Sequence, residues 1–389
     1  MYDDFYIVVG IDHESCPLIM MEIENARLNA EWRRRMDRTI GLGILGFAHG
    51  HINAYIEEWK NPEHGIKVVA GWDHDLKRLD AGSKSFKINP YSSTKELLSR
   101  SDIQAVVIAA ETSMHAELVE LAAACGKMIV LQKPMALSMS EADRIVEAVH
   151  KHSVPFTMAW QMRVDPQNLQ MKQWLESGEL GRVFMVRRRH GLPMGLNAEF
   201  AQSWHVNPLF NRDIWADDAS HPVDFLQFLL GIPETVTAEI ASLYNPQIPN
   251  DNGIVIFRYP NGPIAEVSCS FTCTAAENTV EIICERGTIV QNYGDVPSCN
   301  VPRPEDMEGL KRFDAQTGSW TVSEIGSPSN HGQRIRVLAK PLAEFLRGER
   351  GPIATAEEGR ASLRMVLASY VSNQEGRRVR LDDPGIDGV

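Results

Sequence analysis

Between residues 39 and 159, short apolar runs rich in β-branched residues alternate with segments of helical periodicity. Runs at 39–47, 66–72, 104–110, 128–131 and 154–159 read as strands. Segments at 50–59, 75–84, 94–99, 113–125 and 138–150 read as helices, the fourth stopping at Gly126. The last helix opens with Ser138 and carries Glu141 three positions on, the spacing of a capping box. Strands with no polar face must be covered on both sides, and helical crossovers do that. The pattern predicts an α/β chain with a doubly wound parallel sheet. In such a sheet ligands bind beyond the carboxyl ends of the strands, so residues just after each run are the first candidates for chemistry.

The pattern changes after residue 160. Runs at 183–189, 236–244, 253–259, 264–274, 279–284 and 287–291 read as strands, several separated only by tight turns. Pro260-Asn261-Gly262 and Glu285-Arg286-Gly287 are such turns, and Asn-Gly is a strong hairpin signal. Consecutive hairpins imply a large, mostly antiparallel open sheet. Helices are expected at 217–230 and 356–373, and a long loop over 296–328, which is rich in Pro, Gly and Ser. A length of 389 residues exceeds one ordinary core. The division expected is an N-terminal extension at 1–38, a dinucleotide-binding domain at 39–160, and a substrate-binding and oligomerisation domain at 161–389, closed by the helix at 356–373.

The net charge of −12 argues against nucleic acid and anionic membranes as partners, since both demand basic patches. The basic run Arg187-Arg188-Arg189-His190 follows an alternating stretch and reads as a strand end. The 6 cysteines form no CxxC pair and read as free thiols of a reducing compartment. No apolar run reaches the roughly 18 residues of a membrane span. The acidic N-terminus lacks the basic start of a signal peptide. The expected location is the cytoplasm.

The first strand runs into Gly43-Ile44-Leu45-Gly46-Phe47-Ala48-His49-Gly50-His51. A glycine turn between a strand and a helix lets the backbone approach a pyrophosphate at the helix N-terminus. Gly46 supplies the tight turn and Gly50 the last glycine, with Ala48 where a second glycine is usual. Asp73 ends the second strand, in Trp72-Asp73-His74-Asp75, with no adjacent arginine. A carboxylate there accepts from ribose hydroxyls and repels a 2′-phosphate, which favours NAD over NADP. Glu111, Thr112 and His115 follow the strand at 104–110 and face the same crevice.

The strand at 128–131 ends in Gln132-Lys133-Pro134, which puts an ammonium at the end of an apolar strand. There Lys133 can donate to a substrate oxygen and favour a developing alkoxide, with Pro134 restricting its geometry. In the predicted helix at 217–230, Asp217 and His221 lie one turn apart on one face, with Asp224 on the same side. A carboxylate beside an imidazole orients it and raises its basicity, and histidine is the natural acceptor of an alcohol proton. Gln161, Arg163, Trp204, His205, Arg212 and Trp215 are candidates for the substrate wall. The histidines are too dispersed to suggest a metal site.

Together the glycine turn, Asp73, "ETSMHAELVELAAACGKMIVLQKPMALS", "WQMRVDP" and "DDASHPVDFLQFLLG" resemble the Gfo/Idh/MocA family of oxidoreductases. The closing "ATAEEGRASLRMVLASYVSNQEGRRVRL" is similar as well. The resemblance covers roughly residues 39–382. It implies a Rossmann domain followed by an α/β domain with an open sheet, and a homodimer or homotetramer built across that sheet. It also implies NAD-linked oxidation of a secondary alcohol on a sugar, cyclitol or similar polyol. The family's catalytic lysine, aspartate and histidine map to Lys133, Asp217 and His221. Three departures stand out: Gln132 where an acidic residue is usual, Ala48 in the turn, and a glycine-free stretch from Asn211 to Ala216. Redox-assisted glycoside cleavage on the same fold, in which hydride leaves and returns, is an alternative activity. A non-catalytic dinucleotide sensor is another, disfavoured by the presence of Lys133 and His221.

Overall fold

The apolar runs of the first half pair side by side. β1 (Ile40–Leu45), β2 (Ile66–Trp72), β3 (Asn89–Tyr91), β4 (Ala105–Ile108), β5 (Met128–Leu131) and β6 (Phe156–Met158) form a parallel 6-stranded sheet in the order β3-β2-β1-β4-β5-β6. Every residue of β1, β4 and β6 is buried, because helices cover both faces. These helices are α1 (His51–Trp59), α2 (Leu76–Phe86), α3 (Thr94–Leu98), α4 (His115–Ala124) and α5 (Met139–His152). The computed structural model describes residues 39–260, 262–275, 278–292, 307–326 and 331–389, and Ile40–Val389 form one compact unit. The expected extension at 1–38 and Asn261 of the predicted hairpin turn lie outside the described residues.

At α5, Ser138 caps the Glu141 N–H. The Glu141 carboxylate accepts from Leu137 rather than from Ser138, so the expected box closes one residue early.

After α6 (Pro166–Glu176) comes a 9-stranded sheet in the order β14-β13-β12-β11-β7-β10-β9-β8-β15. Its members are β7 (Val183–Gly191), β8 (Thr235–Ala241), β9 (Asn252–Arg258), β10 (Ile264–Ser270), β11 (Val280–Cys284), β12 (Gly287–Gln291), β13 (Leu310–Asp314), β14 (Ser319–Val322) and β15 (Val379–Arg380). β7 and β10 pair in parallel and the other neighbours are antiparallel. Burial alternates along β8 and β10, the mark of a sheet with one covered face. α7 (Ser220–Leu230) and α9 (Ala356–Glu375) pack on that covered side, where Ser372 of α9 accepts from the Ala238 N–H of β8. Phe184, Met185, Ile254 and Ile256 remain exposed.

Several elements differ from the sequence expectation, among them the short strand β3, which no apolar run announced. The loop expected over 296–328 contains the hairpin β13–β14, whose residues are mostly half-buried or exposed. An edge hairpin held by pairing to β12 needs no apolar alternation, so the pattern gave no signal. α6 was not anticipated, although Asp165 caps it and Pro166 opens it. Nor was α8 (His331–Leu346), which carries Pro341 inside and supplies the Ala339 carbonyl to Trp59.

Candidate active site

The glycine turn is shaped by one residue. Gly46 has φ +89°, and a Cβ there would collide with the Ala110 backbone of the neighbouring strand end. Its N–H donates to the Trp72 carbonyl at 2.7 Å, and the Phe47 N–H to Asp73 Oδ2 at 2.8 Å. The chain then enters α1 through His49, Gly50 and His51, which line a crevice between the two sheets. His49 and His51 meet edge to face, ring centroids 4.3 Å apart. Burial holds His49 well below the ordinary histidine pKa, with His51, Lys133 and His205 adding to the effect. Trp204 reaches over the turn, donating to the Ala48 carbonyl at 3.2 Å while stacking on His205 at 3.9 Å. These residues fit a dinucleotide: a turn only glycine can make, opening onto a helix N-terminus.

The surroundings of Asp73 correct the sequence reading, which placed no arginine there. Arg78, one turn into α2, donates to Asp73 Oδ2 at 3.1 Å and to Oδ1 at 2.9 Å. The same guanidinium reaches Glu111 at 2.6 Å, and His74 reaches the other Glu111 oxygen at 3.0 Å. With the N–H groups of Phe47 and Asp75 also on Asp73, each of its oxygens already accepts twice. Thr112 donates to Asn211 at 2.9 Å. His115 was expected at the crevice; it is wholly buried, its ring nitrogens facing the carbonyls of Ala110, Pro134 and Met135. It ties two strand ends together, and desolvation keeps its pKa low.

Lys133 stands where β5 ends, joined to Pro134 by a cis peptide bond. Its side chain is almost fully buried, and Nζ donates to both the carbonyl and Oδ1 of Asp217, each at 3.2 Å. Asp217 Oδ1 also accepts from Asn211 at 2.9 Å, and Oδ2 faces His205 Nδ1 at 3.1 Å. Burial alone would raise the Asp217 pKa; the charges of Lys133 and then His205 overcome it and hold the carboxyl far below its usual range. Gln132 is buried and donates to the Tyr55 hydroxyl at 3.1 Å. The partner of Lys133 is Asp217 instead.

The expected α-helical face of Asp217 and His221 is also corrected. Residues Trp215–Ala219 form a π-helical turn before α7, and such wide turns recur at functional sites. The extra width turns Asp217 toward Lys133 and His205. Asp218 instead approaches His221, Oδ1 to Nε2 at 3.7 Å, and pairs through Oδ2 with His190 Nε2 at 2.8 Å. Gln161 Nε2 lies 3.4 Å from His221 Nε2, and Trp160 meets the same ring edge to face. Burial is the first cause that drops the His221 pKa well below normal, followed by the charge of Lys133.

Lys133, Asp217, Asp218, His221, Gln161, His190 and His205 line a cavity of ≈ 520 Å³, together with Arg334 and the apolar Met162, Met194 and Phe200. Among the described residues, no protein group pairs with Gln161 Oε1, His221 Nδ1 or His49 Nε2. Buried polar atoms of this kind await a ligand or water. Three expected wall residues are elsewhere. Arg163 grips Asp224 through two bonds of 2.9 and 2.8 Å and also holds Glu358. Trp215 is fully buried and donates to Ser369 at 3.0 Å. Arg212 donates to the Leu137 carbonyl. His190 and Asp218 were missed because their pairing joins β7 to a distant turn, and Arg334 because α8 itself was missed.

Comparison with known proteins identifies the family and the fold. Residues 40–160 match the model of an oxidoreductase family with an NAD-binding Rossmann fold, and residues 168–290 that of the GFO/IDH/MocA C-terminal domain. An uncharacterised Bacillus subtilis oxidoreductase is 26% identical over 59% of this chain and 65% of its own length. The D-apiose dehydrogenase of Paraburkholderia graminis is 25% identical over 88% of each chain. The scyllo-inositol 2-dehydrogenase (NAD(+)) of Bacillus subtilis is 26% identical over 88% of this chain and 95% of that one. Among solved structures, a levoglucosan dehydrogenase complexed with NADH and levoglucosan shares the fold at TM-score 0.76 and 18% identity, covering 88% of this chain and 100% of that one. The chain therefore belongs to the GFO/IDH/MocA family of oxidoreductases, and its first sheet is that family's NAD-binding Rossmann fold.

Proposed function

We propose that this protein oxidises a secondary alcohol of a sugar, cyclitol or related polyol with NAD. The carrying observation is the meeting of Lys133, Asp217 and His221 at the carboxyl edge of the parallel sheet, in a crevice with unpaired polar atoms. The turn from Gly46 to His51, including Phe47 and Ala48, would hold the pyrophosphate, with Asp73 toward the adenosine ribose. When bound, the nicotinamide supplies the hydride acceptor.

The chain's own groups do the rest. His221, kept neutral by burial, takes the hydroxyl proton. Lys133 stabilises the charge that develops on the alcohol oxygen. Asp217 holds and aims Lys133, rather than orienting His221. Gln161 and His205 offer hydrogen bonds to further hydroxyls, and Trp204 backs His205. The exposed apolar residues of the second sheet support a homo-oligomer across that face. The free cysteines Cys125, Cys269, Cys273 and Cys284 support a cytoplasmic setting.

The test is to mix the purified protein with NAD or NADP and scyllo-inositol, levoglucosan or D-apiose, following reduced nicotinamide by absorbance. Reduction of NAD by at least one polyol is expected. Glycoside cleavage without accumulation of reduced cofactor would shift the assignment to the redox-assisted reaction. Tight NAD binding with neither chemistry would contradict an enzyme.

A further inference from the structure

Each alcohol oxidation leaves a proton on a buried imidazole, in a crevice filled by substrate and cofactor. Burial disfavours the imidazolium, and so do the charged neighbours of His221, namely Lys133 and Arg334. His190 and His51 also face it. The proton therefore needs a way out that does not wait for the crevice to empty.

We infer that Asp218 and His190 form that exit, a relay running from His221 through the Asp218 carboxylate to His190 and out through the second sheet. The inference rests on His221 being the proton acceptor. Adjacent carboxylates on the π-helical turn have separate partners. Asp217 is engaged by Lys133, His205 and Asn211. Asp218 bridges the two imidazoles, 2.8 Å from His190 and 3.7 Å from His221. The longer gap is one that a bound substrate can tighten or a single water can span. His190, near the end of β7, borders a second cavity of ≈ 470 Å³ as well as the crevice. That second cavity lies among Arg189, Glu239, Ser268 and Asn278.

The step balances without any redox partner. The alcohol O–H bond breaks and an N–H bond forms on His221. That proton passes to Asp218 and from Asp218 to His190 Nε2, unprotonated at that moment, while His190 releases the proton of its other ring nitrogen to water. Hydride and proton together account for both hydrogens lost by the alcohol. His190 faces Asp218, Arg188 and Arg334. The arginine charges keep the proton from resting on His190, while the Asp218 carboxylate favours its arrival.

The test uses the full-length protein. With whichever polyol reduces NAD, His190→Ala is expected to lower steady-state kcat by about tenfold or more. The loss should fall in kcat and not in NAD affinity, which should stay within about twofold. The first-turnover burst of reduced nicotinamide keeps its wild-type rate, added imidazole restores turnover, and the deficit shrinks as pH rises. His190→Gln, which keeps side-chain bulk, shows the same deficit without rescue. Burst and steady state falling together, with a raised KM and no rescue, would make His190 structural and overturn the relay. Histidine NMR of the NAD-bound protein tests the bridge without turnover. His221→Gln should shift the His190 titration, and this coupling should vanish in an Asp218→Asn background. A His190 titration indifferent to His221 overturns the bridge even if polyols are oxidised. A coupled titration in a protein that oxidises no polyol supports the bridge and counts against the proposed reaction.

Discussion

Lys133 and Asp217, far apart in sequence, form a buried ion pair in which Nζ meets both the carbonyl and Oδ1 of the aspartate at 3.2 Å. This contact joins the end of the parallel sheet to the turn before α7. It aims the lysine, whose geometry the sequence reading gave to Pro134. Asp217→Asn should therefore lower kcat by roughly 10²–10⁴-fold with little change in NAD affinity. Asp217→Ala should also lower stability by about 3–5 kcal/mol, since it strands a buried ammonium. Steady-state kinetics, NAD titration and denaturant melts of the two variants measure these effects.

The pH dependence follows from buried histidines. His49, His115, His190 and His221 all have folded-state pKa values lowered first by desolvation. The unfolded chain binds protons on them near pH 6.5 while the folded chain does not, so stability present above that pH is lost as pH falls below it. The loss is at most about 1.4 kcal/mol per pH unit for each such histidine. Urea melts from pH 8 to pH 5 should show this decline. The acid limb of kcat/KM should likewise fall below the ordinary histidine range, because His221 stays neutral there; a limb at or above about pH 6.5 would remove His221 as the base.

Arg78 makes cofactor choice a property of a clasp rather than of Asp73 alone. Ribose hydroxyls reach Asp73 only by displacing a donor already on it. Removing the guanidinium leaves Asp73 and Glu111 as an uncompensated acidic pair. Arg78→Ala should raise the ratio of NAD to NADP affinity and lower thermal stability, both readable by cofactor-titrated melting curves. An unchanged ratio would place Arg78 outside cofactor selection.

Arg163 should behave as a structural clasp. It is buried with two bonds to Asp224 and one to Glu358. Arg163→Met should cost about 3–5 kcal/mol by leaving the buried Asp224 carboxylate without its cation. For protein that remains folded, the KM for polyol should be unchanged; a selective rise in KM without a loss of melting temperature would restore it to the substrate wall.

The parallel sheet was legible because strands buried on both faces read as continuous apolar runs, and β2 and β5 fall where the runs do. The positions of Lys133, Asp217 and His221 in one crevice were legible as strand-end and helix-start residues. Their pairing was not. Helical periodicity assumes an α turn, and the π turn at Trp215–Ala219 rotates Asp217 away and brings Asp218 in. Arg78 carried a signal that went unused: on the first turn of a helix just after a strand-end carboxylate, a long side chain folds back onto it. The links from His205 to Asp217 and from His190 to Asp218 join separate elements, and no local pattern encodes them.

The most direct test of the catalytic assignment is Lys133→Met, with turnover and NAD affinity measured on the same preparation. The account predicts that reduction of NAD by the polyol falls by two orders of magnitude or more, roughly the loss of a buried charge at a developing alkoxide, while NAD binds as in the wild type. Wild-type turnover in that variant would contradict it.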